Sequence, residues 1–312
     1  LKMEKITLAL AADNNYAQHL AVACASILKN TLHPEKIYFY VLNDDISSEN
    51  QDLIMQTVHD LKGEVRFISV DNKKVHGFTS GHISKAAYLR LTIDQVLPET
   101  VTKVIYFDTD LVVLDDVEKL WNLSLEGKPL GAVCDFGIMK SKRMRRQKFE
   151  TLGLPEGDPY FNSGVLIMDL QQWRQKRYGS LVIGTVTQHA FRHHDQDGLN
   201  KVFMNNWKNI PLRWNVIPPV FTMPLKVLCH TSLRVKALEA MKNPAVFHWA
   251  GRYKPWEFPL EGPFNHLYYS YLKWTTFRDH PMPQPSADMK GKSIKRQNLR
   301  MKWAGFWKKN LG

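Results

Sequence analysis

The chain of 312 residues is 44% hydrophobic and 23% charged, with 42 Lys and Arg against 30 Asp and Glu. That length holds one large domain or two small ones around a sizeable core, and the composition is that of an ordinary soluble globular protein. Three isolated cysteines (Cys24, Cys134, Cys229) exclude a disulfide framework or a thiolate zinc site and fit a reducing cytoplasm. The N-terminus shows no signal-peptide pattern, and no apolar run reaches the ~20 residues that span a bilayer.

Ile6-Thr7-Leu8-Ala9-Leu10 reads as a first strand. A polar turn follows, then a helix with Tyr16, Leu20, Ala23, Cys24, Ile27 and Leu28 on one face. This is how nucleotide-binding α/β domains open, but the turn lacks GxGxxG, so a dinucleotide held by its pyrophosphate is not expected. Small alanines leave room for a flat base. Asp13 has two roles open: accepting from an imide N–H such as that of uracil, or, like Asn15, capping the next helix.

Ile37 to Leu42 and Val65 to Val70 are the second and third strands, separated by a helix that Ser47-Ser48-Glu49 opens and Gly63 ends. The alternation predicts a mainly parallel sheet with helices on both faces. His82 to Leu91 leads into a further helix bearing Tyr88 and Arg90. An Arg there can clamp a phosphate or orient a carboxylate; a surface ion pair is the ordinary alternative.

Lys103 to Leu114 is the most informative stretch. It is a buried strand that ends on two carboxylates two positions apart and then turns apolar again. In extended backbone, side chains at i and i+2 leave on one side, so Asp108 and Asp110 aim at one point. Hard oxygen ligands so arranged suit Mg²⁺ or Mn²⁺. Taken alone, a solvated turn explains the pair better, because short motifs recur by accident.

Leu130 to Asp135 is another strand ending on an acid. Six of the nine residues from Lys140 to Lys148 are basic, which reads as a solvated helix face or loop, with contact to an anionic acceptor or headgroups as the alternative. Asn162-Ser163-Gly164 reads as a polar turn before an apolar strand to Leu170. A helix begins near Trp173, and Asp195 to Asn200 opens another. Ala245 to His248 is a strand ending on a potential ligand, and Gly251 and Lys254 follow at a spacing that suits a loop around an anion. Pro281, Pro283 and Pro285 lead to a tail, Lys290 to Gly312, with eight basic residues and no acidic one. Most of the +12 charge lies there. Leu299, Trp303, Phe306, Trp307 and Leu311 fall on one helical stripe, the pattern of a helix lying on an anionic membrane; a nucleic-acid arm is the competing use.

Six motifs occur together in order: Ala11-Ala12-Asp13-x-Asn15-Tyr16-Ala17, His82-Ile83-Ser84 with Tyr88 and Arg90, Phe107-Asp108-x-Asp110, Phe161-Asn162-Ser163-Gly164, Asp195-Gln196-Asp197, and His248-x-x-Gly251-x-x-Lys254-Pro255-Trp256. Over residues 4–275 the set resembles the retaining glycosyltransferases of family 8, and within them the bacterial lipooligosaccharide α-galactosyltransferases, whose basic, aromatic tail is also similar. The resemblance implies an α/β fold of GT-A type: a Rossmann-like nucleotide-sugar-binding domain with a mainly parallel mixed sheet over residues 1–278, a Pro-rich linker over 279–289 and a basic amphipathic membrane-associating segment over 290–312. It implies Mn²⁺, with Mg²⁺ as substitute, held by Asp108, Asp110 and His248. Ala11, Asp13, Asn15 and Ile83 would hold the uridine; Gly251 and Lys254 would hold the diphosphate, with Thr109 among the donor contacts. Arg90, Asn162, Ser163, Asp195 and Gln196 would surround the donor sugar, and Gln196, Asp195, Arg90 and Asn162 form the expected catalytic set. His82 and Asp135 would face the acceptor. Asn14 and Ser163 depart from the commonest forms, a second Asp and an Ala, and Ser163 leaves the hexose identity open.

The implied activity is transfer of a hexose, galactose before glucose, from a UDP-hexose donor to a hydroxyl of a lipooligosaccharide or lipopolysaccharide core acceptor. It would take place at the inner face of a bacterial cytoplasmic membrane, without nucleic acid. A family 8 enzyme acting on a protein or soluble glycan is the alternative. A nucleic-acid-binding protein would leave Asp108, Asp110, His248 and Lys254 unexplained. No carboxylate is marked as a nucleophile, and the family pattern places an amide, Gln196, beneath the anomeric carbon. Departure and attack on one sugar face is therefore the expected route to retention.

Overall fold

A computed structural model describes residues 4–70, 88–155, 157–189, 191–221, 231–251, 254–257 and 264–279. The predicted His82, Ile83, Cys229, the linker beyond residue 279 and the basic tail lie outside the described residues. Among the described residues nine strands run in chain order: β1 (Ile6–Asp13), β2 (Ile37–Asp44), β3 (Glu64–Ser69), β4 (Lys103–Phe107), β5 (Leu111–Val113), β6 (Leu130–Cys134), β7 (Phe161–Asp169), β8 (Lys208–Ile210) and β9 (Val246–His248). Seven form a sheet in the order β3-β2-β1-β4-β7-β6-β8, and β5 pairs with β9 in a separate antiparallel ribbon. Only β7 runs against its neighbours, so the sheet is mixed and mainly parallel.

Residue alternation divides the central strands between two apolar layers. Leu8, Leu10, Ile105 and Phe107 face the helix Ala17–Asn30, Ile54 and Val58 of the helix Ser48–Asp60, and the β5–β9 ribbon. Ala9, Ala11, Val104 and Tyr106 face Trp173, Val182, Leu199 and Phe203 on the opposite side. With both faces covered, a strand interior must be apolar throughout, and each fully buried Leu, Ile or Phe contributes about 1.5–3 kcal/mol. The helix Ala17–Asn30 is buried from Ala17 to Leu28, well beyond the single predicted face, because it is enclosed by the sheet, the ribbon and the helix Asn265–Leu272.

The strand that begins at Lys103 ends, as expected, where the two carboxylates begin: the chain bends at Asp108 to Asp110, leaves the large sheet after β4 and enters the ribbon as β5. One sequence expectation needs correction. Asn162-Ser163-Gly164 is not a turn before a strand but the start of β7. There the β6–β7 register jumps, from Ala132 opposite Leu166 to Val133 opposite Asn162. The irregularity leaves Ser163, Gly164 and Val165 without register partners on β6, while on the other side the Gly164 carbonyl accepts the Asp108 N–H at 2.9 Å. The short edge strand β8 is an addition that no sequence pattern announced.

Candidate active site

In a parallel sheet, strand ends and the loops after them collect at one edge, where ligands bind. Here that edge carries Asp13 at the end of β1, Asp108 and Asp110 after β4, Asp135 after β6, and Asn162 and Ser163 at the start of the reversed β7. The β5–β9 ribbon brings the last partner. Leu111 pairs with His248, and the Trp249 N–H donates to the Asp110 carbonyl at 2.9 Å. Ligand atoms of Asp108, Asp110 and His248 consequently all lie within 4.8 Å of one another. His248 Nε2 stands 3.0 Å from Asp110 Oδ1 and 3.8 Å from Asp108 Oδ2. Two carboxylates and an imidazole nitrogen around one point match the donor set a borderline divalent ion such as Mn²⁺ takes.

The cluster is heavily supported. Lys254 Nζ pairs with Asp110 Oδ2 and donates to the Trp249 carbonyl at 2.7 Å. Against the upward pull of burial, His248 and Lys254 hold the Asp110 carboxyl well below the usual carboxylate range. Gly251, at φ +98°, lets the loop turn back toward the cluster. Trp256 stacks on His19 with ring centroids 3.8 Å apart and anchors that loop to the helix Ala17–Asn30.

Arg90 is not the surface ion-pair residue that a helical Arg usually is. It is buried, donates from Nη2 to Asp108 Oδ1 at 2.9 Å and from Nε to Asp195 Oδ2 at 3.3 Å, and reaches the Ser163 carbonyl with Nη1 at 2.9 Å. Burial works against its charge, but Asp108, Tyr106 and Asp195 raise its pKa beyond the ordinary guanidinium range. Tyr106 lies under the guanidinium and donates to Asp108 Oδ1 at 3.0 Å. Burial raises Asp195, and Arg90 opposes that shift.

Gln196 is fixed at both ends. Its Oε1 accepts the Ser163 N–H at 3.2 Å, while Nε2 donates to Asp135 Oδ2 at 3.2 Å and to the Tyr160 hydroxyl at 3.1 Å. Asp135 caps the short helix Phe136–Met139 through Oδ1 and also accepts from Asn162 Nδ2 at 3.3 Å. Asp13 caps the turn Asn14–Tyr16, accepting the Tyr16 N–H on Oδ1 at 3.0 Å. The Asn14 side chain accepts from the Ser47 N–H at 2.9 Å, while Asn15 is exposed and Ala11 and Thr109 are buried at the same edge.

The sequence profile of glycosyl transferase family 8 matches residues 7–258. The chain belongs to that family. It is 32% identical over 274 residues to General stress protein A of Bacillus subtilis, covering 85% of this chain and 93% of that protein. It is 25% identical over 257 residues to the lipopolysaccharide 1,2-glucosyltransferase of Escherichia coli, covering 81% of this chain and 73% of that enzyme. Among solved structures, the galactosyltransferase LgtC in complex with donor and acceptor sugar analogues superposes with a TM-score of 0.76 and 28% identity, over 92% of this chain and all of that one. This family 8 glycosyltransferase therefore has the GT-A fold.

Several residues of the site escaped sequence reasoning. The basic run Lys140 to Lys148 mostly forms the solvated helix Lys142–Leu152, but Lys148 turns inward and donates to both oxygens of the fully buried Asp197 at 2.6 Å. Asp197 also accepts from Tyr160 at 2.6 Å, which carries the pair to Gln196. Tyr106 was findable, since it shares a strand face with Asp108. Asn215 has no local signal at all. It ends the turn Leu212–Asn215, is buried, and stands 2.9 Å from His248 Nδ1.

Proposed function

We propose that this family 8 glycosyltransferase is a retaining, Mn²⁺-dependent hexosyltransferase that moves galactose, or failing that glucose, from a UDP-sugar to a hydroxyl of a lipopolysaccharide or lipooligosaccharide core acceptor. The observation that carries the reading is the convergence of Asp108, Asp110 and His248 beside Lys254 on one flank and the Arg90–Asp195–Gln196 group on the other. Likeness to a lipopolysaccharide glucosyltransferase supports the acceptor class, and likeness to the galactosyltransferase LgtC supports the donor hexose.

Breaking a sugar–diphosphate bond develops negative charge on the departing UDP and positive charge on the anomeric carbon. A divalent ion held by Asp108, Asp110 and His248 supplies Lewis-acid stabilisation of the first charge. Lys254 has its ammonium at the same cluster and is placed to exchange Asp110 for a diphosphate oxygen as the donor arrives. Arg90 fixes the orientation of Asp108 and Asp195 together, so metal side and sugar side keep their spacing. Gln196, with its amide spent on Ser163, Asp135 and Tyr160, cannot swing away and offers carbonyl density toward the oxocarbenium character of the transition state. The acceptor proton passes to the departing phosphate on the same sugar face. Trapping a glycosyl adduct on Gln196 or Asp195 would overturn that step.

The test offers UDP-galactose, UDP-glucose and UDP-N-acetylglucosamine with Mn²⁺ or with chelator and follows UDP release. Mn²⁺-dependent turnover of UDP-galactose or UDP-glucose is expected; no turnover of any donor sinks the reading.

A further inference from the structure

The predicted metal ligands account for one nitrogen of His248. The other contacts Asn215, and the hydrogen bonds around Asn215 have a fixed polarity. The Gly164 backbone N–H, which can only donate, points at Asn162 Oδ1 at 2.9 Å. That oxygen must therefore be the acceptor for Asn215 as well, so the atom of Asn215 lying 2.8 Å from it is the NH₂ group. The carbonyl oxygen of Asn215 is then left facing His248 Nδ1 at 2.9 Å. An amide oxygen cannot donate, so Nδ1 carries the proton. The lone pair of the neutral ring is thereby confined to Nε2, which faces Asp110 and Asp108.

We infer that Asn215 is a positioning residue of the metal site, setting the tautomer and ring angle of His248 so that Nε2 presents a lone pair between the two carboxylates. The inference rests on the proposed divalent-metal site. Metal-bound histidines generally donate their second N–H to a fixed acceptor, and loss of that acceptor weakens metal binding about 10–100-fold. The backbone supports this role. The residue after Asn215, Val216, accepts the His248 N–H at 3.0 Å and donates to the Val246 carbonyl at 2.9 Å, so Asn215 is stitched directly to the strand that carries His248. Asn162, Asn215 and His248 thus form a single chain of hydrogen bonds that begins at the backbone of Gly164 and ends at the metal ligands. Asp135 joins that chain through Asn162, and Gln196 joins it through Asp135.

The experiment titrates Mn²⁺ into the full-length protein at saturating UDP, following free Mn²⁺ by its electron paramagnetic resonance signal, for wild type, Asn215→Leu and Asn215→Asp. Leu removes the acceptor at Nδ1; Asp keeps it, while turning a second acceptor oxygen and a negative charge toward Asn162 in place of the NH₂ donor. Asn215→Leu is expected to weaken Mn²⁺ binding about 10–100-fold, while Asn215→Asp stays within about threefold of wild type. Unchanged Mn²⁺ affinity in folded Asn215→Leu overturns the inference. Should the Leu variant fail to fold, Asn215→Asp decides alone: retained affinity supports the role and a tenfold or greater loss overturns it. Absence of Mn²⁺ uptake by the wild type would remove the proposed function and this inference together, whereas wild-type uptake with an indifferent Leu variant removes only the inference.

Discussion

A Cβ built on Gly164 would lie 2.7 Å from Nδ1 of His248 and 2.8 Å from Oδ2 of Asp108. Both are shorter than real Cβ contacts, and neither neighbour is free to yield, since His248 is held by Asn215 and Asp108 by Arg90 and Tyr106. Gly164→Ala is therefore expected to displace one of the proposed metal ligands. Overpacking of about 1–3 kcal/mol concentrated there corresponds to roughly a 5- to 150-fold loss of metal affinity. Mn²⁺ titration of UDP release, with thermal melting as the control for folding, measures it.

Asp110 accepts from Lys254 and faces His248, and its carboxyl is strongly favoured in the charged form. Asp110→Ala should abolish Mn²⁺-dependent transfer, by a factor on the order of 10²–10³ or more, with far-UV circular dichroism unchanged. The backbone bond from Trp249 to the Asp110 carbonyl does not need the side chain, which is why the fold should persist.

The Lys148–Asp197 pair is almost fully buried, with Lys148 side-chain exposure at 8% and Asp197 at 0%. Lys148→Met leaves the Asp197 carboxylate without its cation, at a cost of about 3–5 kcal/mol in chemical denaturation. Lys148→Met combined with Asp197→Asn removes the stranded charge and should recover a large part of that loss. Equal stability of the two variants would show that the pair does not act as a unit.

Asp94, in the short helix Ile93–Val96, is pushed up to about 6 by burial. The folded state thus binds its proton more tightly than the unfolded chain does. Between about pH 4 and pH 6 the native state carries more protons, so this residue's contribution to stability falls as pH rises and levels off above pH 6. Asp94→Asn should match wild type near pH 4 and exceed it by about 2–3 kcal/mol above pH 6. Unfolding midpoints across that range provide the check.

The proposed membrane role of residues 290–312 rests on the sequence, with its eight basic residues and its Leu299, Trp303, Phe306, Trp307 and Leu311 stripe. Deleting the chain from Lys290 should abolish binding to anionic phospholipid vesicles while leaving UDP release on a soluble acceptor in place. Vesicle binding that survives the deletion would refute it. Among the described residues no helix is long and apolar enough to cross a membrane.

Much of the fold could be read along the chain because its causes are local. Apolar β-branched runs mark β1, β2, β4 and β7, since a strand covered on both faces must be apolar throughout. Ser47 opens a helix through its own side chain, which accepts the Asn50 N–H; at the other end the Gly63 N–H closes on the Val58 carbonyl, but Lys62 (φ +66°) and not the glycine takes the left-handed turn. The Asp108–Asp110 pair was visible for the same reason, but the bend there that moves the chain from one sheet to another does not follow from strand periodicity.

The site itself required tertiary structure. His248 meets Asp110 because β9 pairs with β5, a register between segments about 140 residues apart. Lys148 reads as one more basic residue on a charged helix until the packing of the helix His194–Val202 places Asp197 against it. Asn215 is an unremarked polar residue in sequence, and it acquires a role only when Gly164, Asn162 and His248 surround it. Sequence by itself determined most of the strands, where several helices begin and the kinds of ligand. Strand order and pairing decided which of those ligands meet, because contacts between distant segments depend on global topology, which leaves no periodic trace along the chain.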